Sequence, residues 1–333
     1  MGFYRQIFKR IFKISFKNKW LWVVGFFAAF LGNGSVYEAL LRGFNNISEG
    51  RSVFHTFYEY SQSGVLGMVS WSNLTTLWQS DAAAFGWGLF VMLLGLSIFA
   101  IFITLAVISQ GAVIKGVVDI DQGKKTGLKQ SFKHGVKHFW PILELNVITK
   151  IILFGFLLLL SFIVSLVIFA SHAMNIFFYT LFFIIFIILG IIIYFLTIYG
   201  TAFIVLREKK TFAALKSAWH LFKSNVLLNL EMGLLLFIMN FLVVLAIIIG
   251  ALFLLSPFLV LYILFAGGGG ALSMVLAICI VTVLIILSVF IGAWWTTFQL
   301  GAWAILFEQL ASYGGKSKIR RIYEAIVKRK IKK

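Results

Sequence analysis

The sequence predicts an all-α, polytopic membrane protein: a helical bundle of six spans in three pseudo-repeats, each an interfacial amphipathic helix followed by a helical hairpin. Three observations predict this class: long uncharged runs, a one-sided distribution of basic residues, and an internal repeat. Hydrophobic residues make up 61% of the 333 residues and charged residues 12%, whereas a soluble domain has roughly 45–50% and 25%. A soluble fold is therefore excluded.

The uncharged runs predict where the chain crosses the membrane. No Asp, Glu, Lys or Arg occurs between Asp81 and Lys115, between Lys150 and Arg207, or between Glu231 and Glu308. These runs contain 33, 56 and 76 residues, and about 20 apolar residues cross a bilayer. With a shorter first span before them, the predicted spans are 20–34, 84–110, 145–170, 177–205, 228–255 and 272–303.

The basic residues predict the orientation of these spans. Only Arg42 and Arg51 fall on one side of this topology, and the other 27 of the 29 Lys and Arg residues fall on the opposite side. Because Lys and Arg concentrate in cytoplasmic loops, the crowded side is predicted to be cytoplasmic. We expect a multi-pass protein of the plasma (inner) membrane, with both termini in the cytoplasm and residues 35–83 outside.

An internal repeat organises the chain. Residues 128–145 align with residues 215–232 at a constant offset of 87, and the opening "FKNKW" (16–20) aligns more loosely with "FKSNV" (222–226). The sequence therefore predicts a single integral membrane domain over residues 1–333. Its parts are pseudo-repeats at 3–120, 121–210 and 211–310, followed by a basic cytoplasmic helix at 316–330.

Each pseudo-repeat begins with a basic amphipathic stretch. In residues 3–20, Tyr4, Phe8, Ile11 and Phe12 recur at helical spacing with Lys and Arg between them. We expect such helices to lie in the headgroup plane, with the apolar face in the bilayer and the basic face toward anionic lipid headgroups. Lipid accounts for the positive charge, so no nucleic acid is expected, and the sequence identifies no protein partner.

Glu144 and Glu231 form the candidate polar pair within the spans, because the repeat places them at matching positions. An ionisable residue inside a membrane often serves a function, so a paired proton or cation site is one interpretation. We favour a structural interpretation, in which each carboxylate lies at the positive end of a helix dipole beside a lysine. The first pseudo-repeat has Gly25 at the matching position.

Other polar residues give weaker signals. His134 and His138 lie four residues apart, as metal ligands can, but no third ligand is evident, and Cys279 is the only cysteine. We predict no catalytic residue, no cofactor site and no metal site, because the common catalytic and phosphate-binding motifs do not occur. Asp119 and Asp121 are expected in a solvated turn, Pro257 is expected to kink or break its helix, and interhelical hydrogen bonds are expected for Gln110, Asn229, Asn240 and Gln299.

Three stretches carry a family resemblance: "NKWLWVVGFFAAFLGNG" (18–34), "FKHGVKHFWPILELN" (132–146) and "LKSAWHLFKSNVLLNLE" (215–231). They resemble bacterial six-span proteins related to the membrane domain associated with glycerophosphodiester phosphodiesterases. In that family a separate soluble barrel domain carries out catalysis, and about 23 residues follow the third pseudo-repeat here. The resemblance implies a membrane module without phosphodiesterase activity.

We therefore expect a non-enzymatic integral membrane module that organises lipid or a partner at the cytoplasmic face. The alternative is a small transporter or permease with a site between the pseudo-repeats. An intramembrane lipid enzyme would need clustered His, Asp or Ser residues, and the sequence offers only Glu144, Glu231 and scattered histidines.

Overall fold

The computed structural model describes residues 3–32, 75–76, 78–79, 82–167, 172–266 and 271–313. Five of its helices are long and apolar enough to cross a membrane: Ala82–Asp121, Phe139–Val167, His172–Arg207, Val226–Ala266 and Ala271–Tyr313. The predicted all-α membrane bundle is confirmed. The predicted outer loop (35–83), apart from a few residues at its end, and the predicted helix at 316–330 lie outside the described residues. The main helices are α1 (Phe3–Lys17), α2 (Trp20–Ala29), α3 (Ala82–Asp121), α4 (Leu128–Lys137), α5 (Phe139–Val167), α6 (His172–Arg207), α7 (Thr211–Ser224), α8 (Val226–Ala266) and α9 (Ala271–Tyr313).

The first predicted span is the exception among the six. Its helix α2 has ten residues, which rise about 15 Å, half of the roughly 30 Å hydrocarbon thickness. The chain leaves the described part after Gly32. A sixth crossing therefore stays a prediction. The spans predicted at 84–110, 177–205, 228–255 and 272–303 lie within longer helices, and the span predicted at 145–170 lies in α5 as far as Val167, where this described range ends.

Buried residues concentrate at one end of the bundle, where α1, α2, α4 and α7 surround the ends of the long helices. Ile11, Leu21, Val117 and Phe307 are among the fully buried members of one continuous core there. The opposite ends of the long helices expose large apolar side chains such as Phe253. Exposed apolar surface of this extent needs lipid around it. We call the packed end of the bundle, formed by α1, α2, α4, α7 and the adjoining ends of the long helices, the base. The apolar parts of the long helices extend from it.

The helix contacts follow a cyclic order. The amphipathic helix α4 packs on α3, α7 packs on α6, and α1 packs on α9. Each amphipathic helix thus contacts the second helix of the preceding hairpin, and α1 closes the circle with the last one. The second helices α3, α6 and α9 also contact one another. Three pseudo-repeats around a common axis would produce this order, and the division into pseudo-repeats stays a prediction.

The packing of α1 corrects its predicted orientation. Tyr4 and Ile11 belong to the buried core of the base and do not face lipid, whereas Phe12 is about half exposed. Ile11 can pack closely on α9 because Gly301 lies opposite, where a Cβ would collide with the Ile11 side chain. Protein offers this face of α1 a closer apolar partner than the bilayer does. Only the flank with Phe12 and Phe16, whose rings contact Trp294, stays about half exposed.

Of the kink or break predicted at Pro257, the break is wrong, because α8 continues through Pro257 to Ala266. Proline lacks the backbone N–H that would bond the carbonyl four residues earlier, which is that of Phe253. The Ser256 hydroxyl donates a hydrogen bond to this carbonyl at 2.9 Å. A neighbouring hydroxyl thereby satisfies the freed carbonyl, as it commonly does in membrane helices.

Candidate functional site

Glu144 links α5 to the start of α7. The hydroxyl of Thr211, the first residue of α7, donates a hydrogen bond to Glu144 Oε2 at 2.6 Å. The same hydroxyl lies 3.3 Å from the backbone oxygen of Pro141, and Thr211 is buried. The carboxylate therefore anchors the amphipathic helix of the next predicted pseudo-repeat.

Glu231 makes the corresponding link between α8 and α1. The Tyr4 hydroxyl donates a hydrogen bond to Glu231 Oε2 and lies 3.5 Å from the backbone oxygen of Leu228. Tyr4 is in the first turn of α1, just as Thr211 begins α7. The two glutamates thus bond different amphipathic helices.

At the matching position in α2, Gly25 leaves no space for a third carboxylate. A Cβ on Gly25 would collide with the Thr297 hydroxyl and the Ala293 carbonyl of α9. The Thr297 hydroxyl also donates a hydrogen bond to the Leu21 carbonyl at 2.9 Å. Direct helix packing replaces the carboxylate link here.

Hydrogen bonds join the long helices within the base. Asn146 Nδ2 donates to Gln110 Oε1 at 3.0 Å, and the Tyr199 hydroxyl donates to Asn229 Oδ1 at 2.6 Å. Trp295 Nε1 donates to Asn240 Oδ1 at 2.6 Å. The predicted interhelical role of Gln110, Asn229 and Asn240 is confirmed.

Beside these bonds lies a polar cavity of about 300 Å³, where α2, α3, α5, α6 and α9 meet. Its polar lining consists of uncharged amide and hydroxyl groups. Gln110 and Gln299 were expected to form interhelical hydrogen bonds, and nothing in the sequence indicated that their neighbours join them around a cavity. The polar side chains that line this central cavity are Gln110, Asn146, Thr149, Tyr194, Thr197, Thr296 and Gln299.

A second space, the α3–α5 groove, lies between α2, α3 and α5 and has a volume of about 780 Å³. Apolar side chains dominate its lining, and four of them, including Phe30 and Phe102, are phenylalanines that form an aromatic wall. Of the lining residues in the described part of the chain, Lys150 alone is charged, and its Nζ lies 3.5 Å from the Gly32 carbonyl oxygen. Lys150 was assigned to the cytoplasmic charges in the sequence. Its position within an apolar stretch was the signal that could have identified it as a candidate site residue.

The amphipathic helices expose basic and aromatic side chains together. In α1, Lys9 and Lys13 are exposed beside Phe12. In the other two helices, the exposed lysines accompany large aromatic side chains on or next to the helix. These residues are Lys133, Lys137 and Trp140 at α4 and Lys216, Lys223 and Trp219 at α7.

Acidic residues bind a few of the cations at this end. Asp119 is buried, and its Oδ1 lies 3.1 Å from Lys115 Nζ and 3.6 Å from Lys124 Nζ. Arg10 pairs with Asp121 at 3.6 Å. The predicted solvated turn is wrong for Asp119, which is buried within α3 and joins that helix to the following loop. Asp121 is exposed at the last residue of α3, next to the turn at Gln122 and Gly123.

Two groups outside the spans have shifted pKa values. Lys137 donates a hydrogen bond to Glu208 Oε1 at 2.6 Å and lowers the pKa of the Glu208 carboxyl below its ordinary value. Burial lowers the pKa of His134, and the nearby positive charge of Lys115 lowers it further. Both shifts favour a charge state at neutral pH with Glu208 ionised and His134 neutral.

His134 lies in the last turn of α4, and His138 is the residue that follows this helix. His138 Nδ1 lies 2.9 Å from the backbone oxygen of His134, within hydrogen-bond distance. Among the residues that the structure describes, no group of three or more His, Cys, Asp or Glu side chains could hold a metal ion.

The chain matches no protein-family model, no curated protein and no solved structure. The resemblance to the membrane domain associated with glycerophosphodiester phosphodiesterases therefore stays a prediction from the quoted stretches.

Proposed function

We propose that this chain is a non-enzymatic, multi-pass module of the bacterial plasma membrane that gathers anionic lipid at its cytoplasmic face. The observation that carries the proposal is the shared arrangement of α1, α4 and α7. Each of these helices packs against a long helix and leaves lysines exposed near an exposed aromatic side chain, which for α4 is Trp140 at the start of α5.

The chemistry of this surface fits the headgroup region of a bilayer. Tryptophan and other aromatic side chains favour the membrane–water interface, and each basic residue near an anionic surface contributes about 1 kcal/mol. Exposed lysines of α1, α4 and α7, such as Lys9, Lys133 and Lys216, lie on helices that packing fixes in place. The base can therefore present several cations to lipid without ordering a disordered segment first.

Lipid selectivity in proteoliposomes tests the proposal. Chain-labelled phosphatidylglycerol and phosphatidylcholine with identical chains are compared by electron spin resonance, which measures the motionally restricted fraction at the protein surface. We expect the wild type to prefer phosphatidylglycerol and to lose much of that preference as salt is raised, because salt screens exposed charges.

A variant with Lys9, Lys13, Lys133 and Lys216 replaced by glutamine should lose most of the preference. The control is Lys137→Gln, because Lys137 is already paired with Glu208 and should contribute little. Equal association of both lipids with the wild type would contradict the proposed function.

The central cavity favours a second candidate function, a small transporter or permease. Its amide and hydroxyl lining comes from helices of all three predicted pseudo-repeats, as expected for a site at a repeat interface. If the chain moves protons, the working group must be ionisable, and glutamine at Glu144 and Glu231 would abolish transport. Proton movement into liposomes that vanishes in this double variant would support the transporter and contradict the proposed structural role of the glutamates.

A further inference from the structure

We propose that the α3–α5 groove binds one anionic phospholipid, with the headgroup phosphate at Lys150 and an acyl chain along the aromatic wall. This site lies apart from the exposed lysines of α1, α4 and α7 and does not depend on the function proposed for them. It would hold an individual lipid against the protein.

The shape of the groove fits a lipid chain. Its volume of about 780 Å³ lies within the range of ligand pockets, roughly 300–1,000 Å³. Phe26 of α2 and Phe30, the residue after α2, line it together with Ile98 and Phe102 of α3, and the Phe30 and Phe102 rings are in contact with centroids 5.5 Å apart. Phe99, another lining residue, is largely exposed, so the groove is open toward the surface that lipid must cover.

The charge of the groove fits an anionic headgroup. Lys150 and Asn146 lie together on α5, at the same groove. A lysine beside apolar surface within a membrane span is costly unless an anion or other polar group accompanies it. Among the described residues that line the groove, none is acidic. A phosphate could accept a hydrogen bond from Lys150 Nζ while Asn146 Nδ2 keeps its bond to Gln110.

A related groove elsewhere in the molecule has an uncharged residue at the repeat position of Lys150. This second groove, between α6, α8 and α9, has a volume of about 420 Å³. The repeat offset of 87 carries four lining residues of the α3–α5 groove onto four lining residues of the second groove. Leu143, Asn146, Val147 and Lys150 correspond to Leu230, Gly233, Leu234 and Phe237.

Both grooves therefore offer apolar walls at matching repeat positions, and only the α3–α5 groove adds a cation. An inorganic anion would neutralise Lys150 but leave the aromatic wall uncovered. A neutral lipid would cover the wall but lack the net charge that Lys150 complements. An anionic phospholipid satisfies both parts of the groove.

Native mass spectrometry of the full chain in uncharged detergent tests this proposal with phosphatidylglycerol and phosphatidylcholine of identical chains. We expect the wild type to retain one phosphatidylglycerol about tenfold more strongly than phosphatidylcholine, which corresponds to about 1.4 kcal/mol. Lys150→Gln should reduce that ratio to near one, and Lys150→Arg should keep it because the cation remains. The matched control Lys125→Gln removes an exposed lysine in the loop between α3 and α4, outside the lipid-facing lysines of α1, α4 and α7, and should leave the ratio unchanged.

A steric variant tests the acyl end of the site. Gly95 lines the groove, and no atom lies within 4 Å of a Cβ built on it. Gly95→Phe should fill the groove and weaken retention of both lipids, whereas Gly250→Phe, at a glycine of α8 with equally open surroundings, should not. An unchanged ratio in Lys150→Gln, an equal loss in Lys125→Gln, or full displacement of the lipid by millimolar inorganic phosphate would each overturn the proposal.

Discussion

The Tyr4 hydroxyl donates a hydrogen bond to the Glu231 carboxylate across 227 residues of sequence. It joins the first turn of the chain to the start of the third predicted hairpin. The Thr211 hydroxyl makes an equivalent bond to Glu144. Each bond fixes the beginning of an amphipathic helix against a long helix, so the glutamates act as structural anchors of the base.

Tyr4→Phe should destabilise the protein, because the Glu231 carboxylate loses a hydrogen bond while the ring still fills its buried site. A hydrogen bond to a charged group contributes roughly 1.5–3 kcal/mol. The free energy of unfolding, measured by titrating detergent-solubilised protein with dodecyl sulfate, should fall by that amount. In a double-mutant cycle with Glu231→Gln, the two effects should not add, since both substitutions alter the same bond. Full additivity would contradict the link.

Thr211→Val should have a similar effect on the second anchor. Valine keeps the shape of threonine but removes the hydroxyl that bonds Glu144, so we expect a loss of roughly 1.5–3 kcal/mol. Glu144→Gln keeps an acceptor oxygen and should lose only the charge–dipole contribution, about 0.3–1 kcal/mol. The control is Thr282→Val, because Thr282 is exposed and bonds only its own helix at Ile278. A Thr282→Val effect as large as that of Thr211→Val would contradict the anchor.

The crossing of α3 and α4 depends on a glycine. A Cβ on Gly135 would collide with the Ile108 backbone carbonyl, so Gly135→Ala must push α4 away from α3. Overpacking of this kind costs about 1–3 kcal/mol, which the same unfolding titration would detect. At Gly155 of α5, where a Cβ meets open space, alanine should instead stabilise the helix by up to about 1 kcal/mol. Equal effects of the two substitutions would contradict the close crossing.

Local patterns predicted much of this fold. The uncharged runs identify the long helices because a membrane span needs only length and apolarity. The spacing of Tyr4, Phe8 and Ile11 likewise identifies α1 as amphipathic. Neither pattern reports which surface covers the apolar face, since α1 packs on α9 at the far end of the chain.

The features that the sequence did not predict are contacts, either with residues distant in the chain or with the side chain of a neighbouring residue. The partner of Glu231 could not be predicted, because Tyr4 reaches it only after the chain closes on itself. Pro257 was expected to interrupt its helix, and the compensating hydroxyl of Ser256 was overlooked. The α3–α5 groove arises from three helices that meet only in the folded protein.

We predict that the base, the packed and basic end of the bundle, faces the cytoplasm. This prediction rests on the distribution of Lys and Arg, 27 against two, and on the positive-inside rule. Cysteine labelling of intact cells with a membrane-impermeant maleimide tests it, after the single native cysteine is removed by Cys279→Ala. Ser224→Cys places a thiol at the exposed end of α7, and Ser63→Cys places one in the predicted outer loop, outside the described residues.

We predict that Ser63→Cys is labelled in intact cells, and that Ser224→Cys is labelled only after the membrane is permeabilised. Labelling of Ser224→Cys in intact cells, with Ser63→Cys protected, would show that the basic end faces outward and would contradict the predicted orientation.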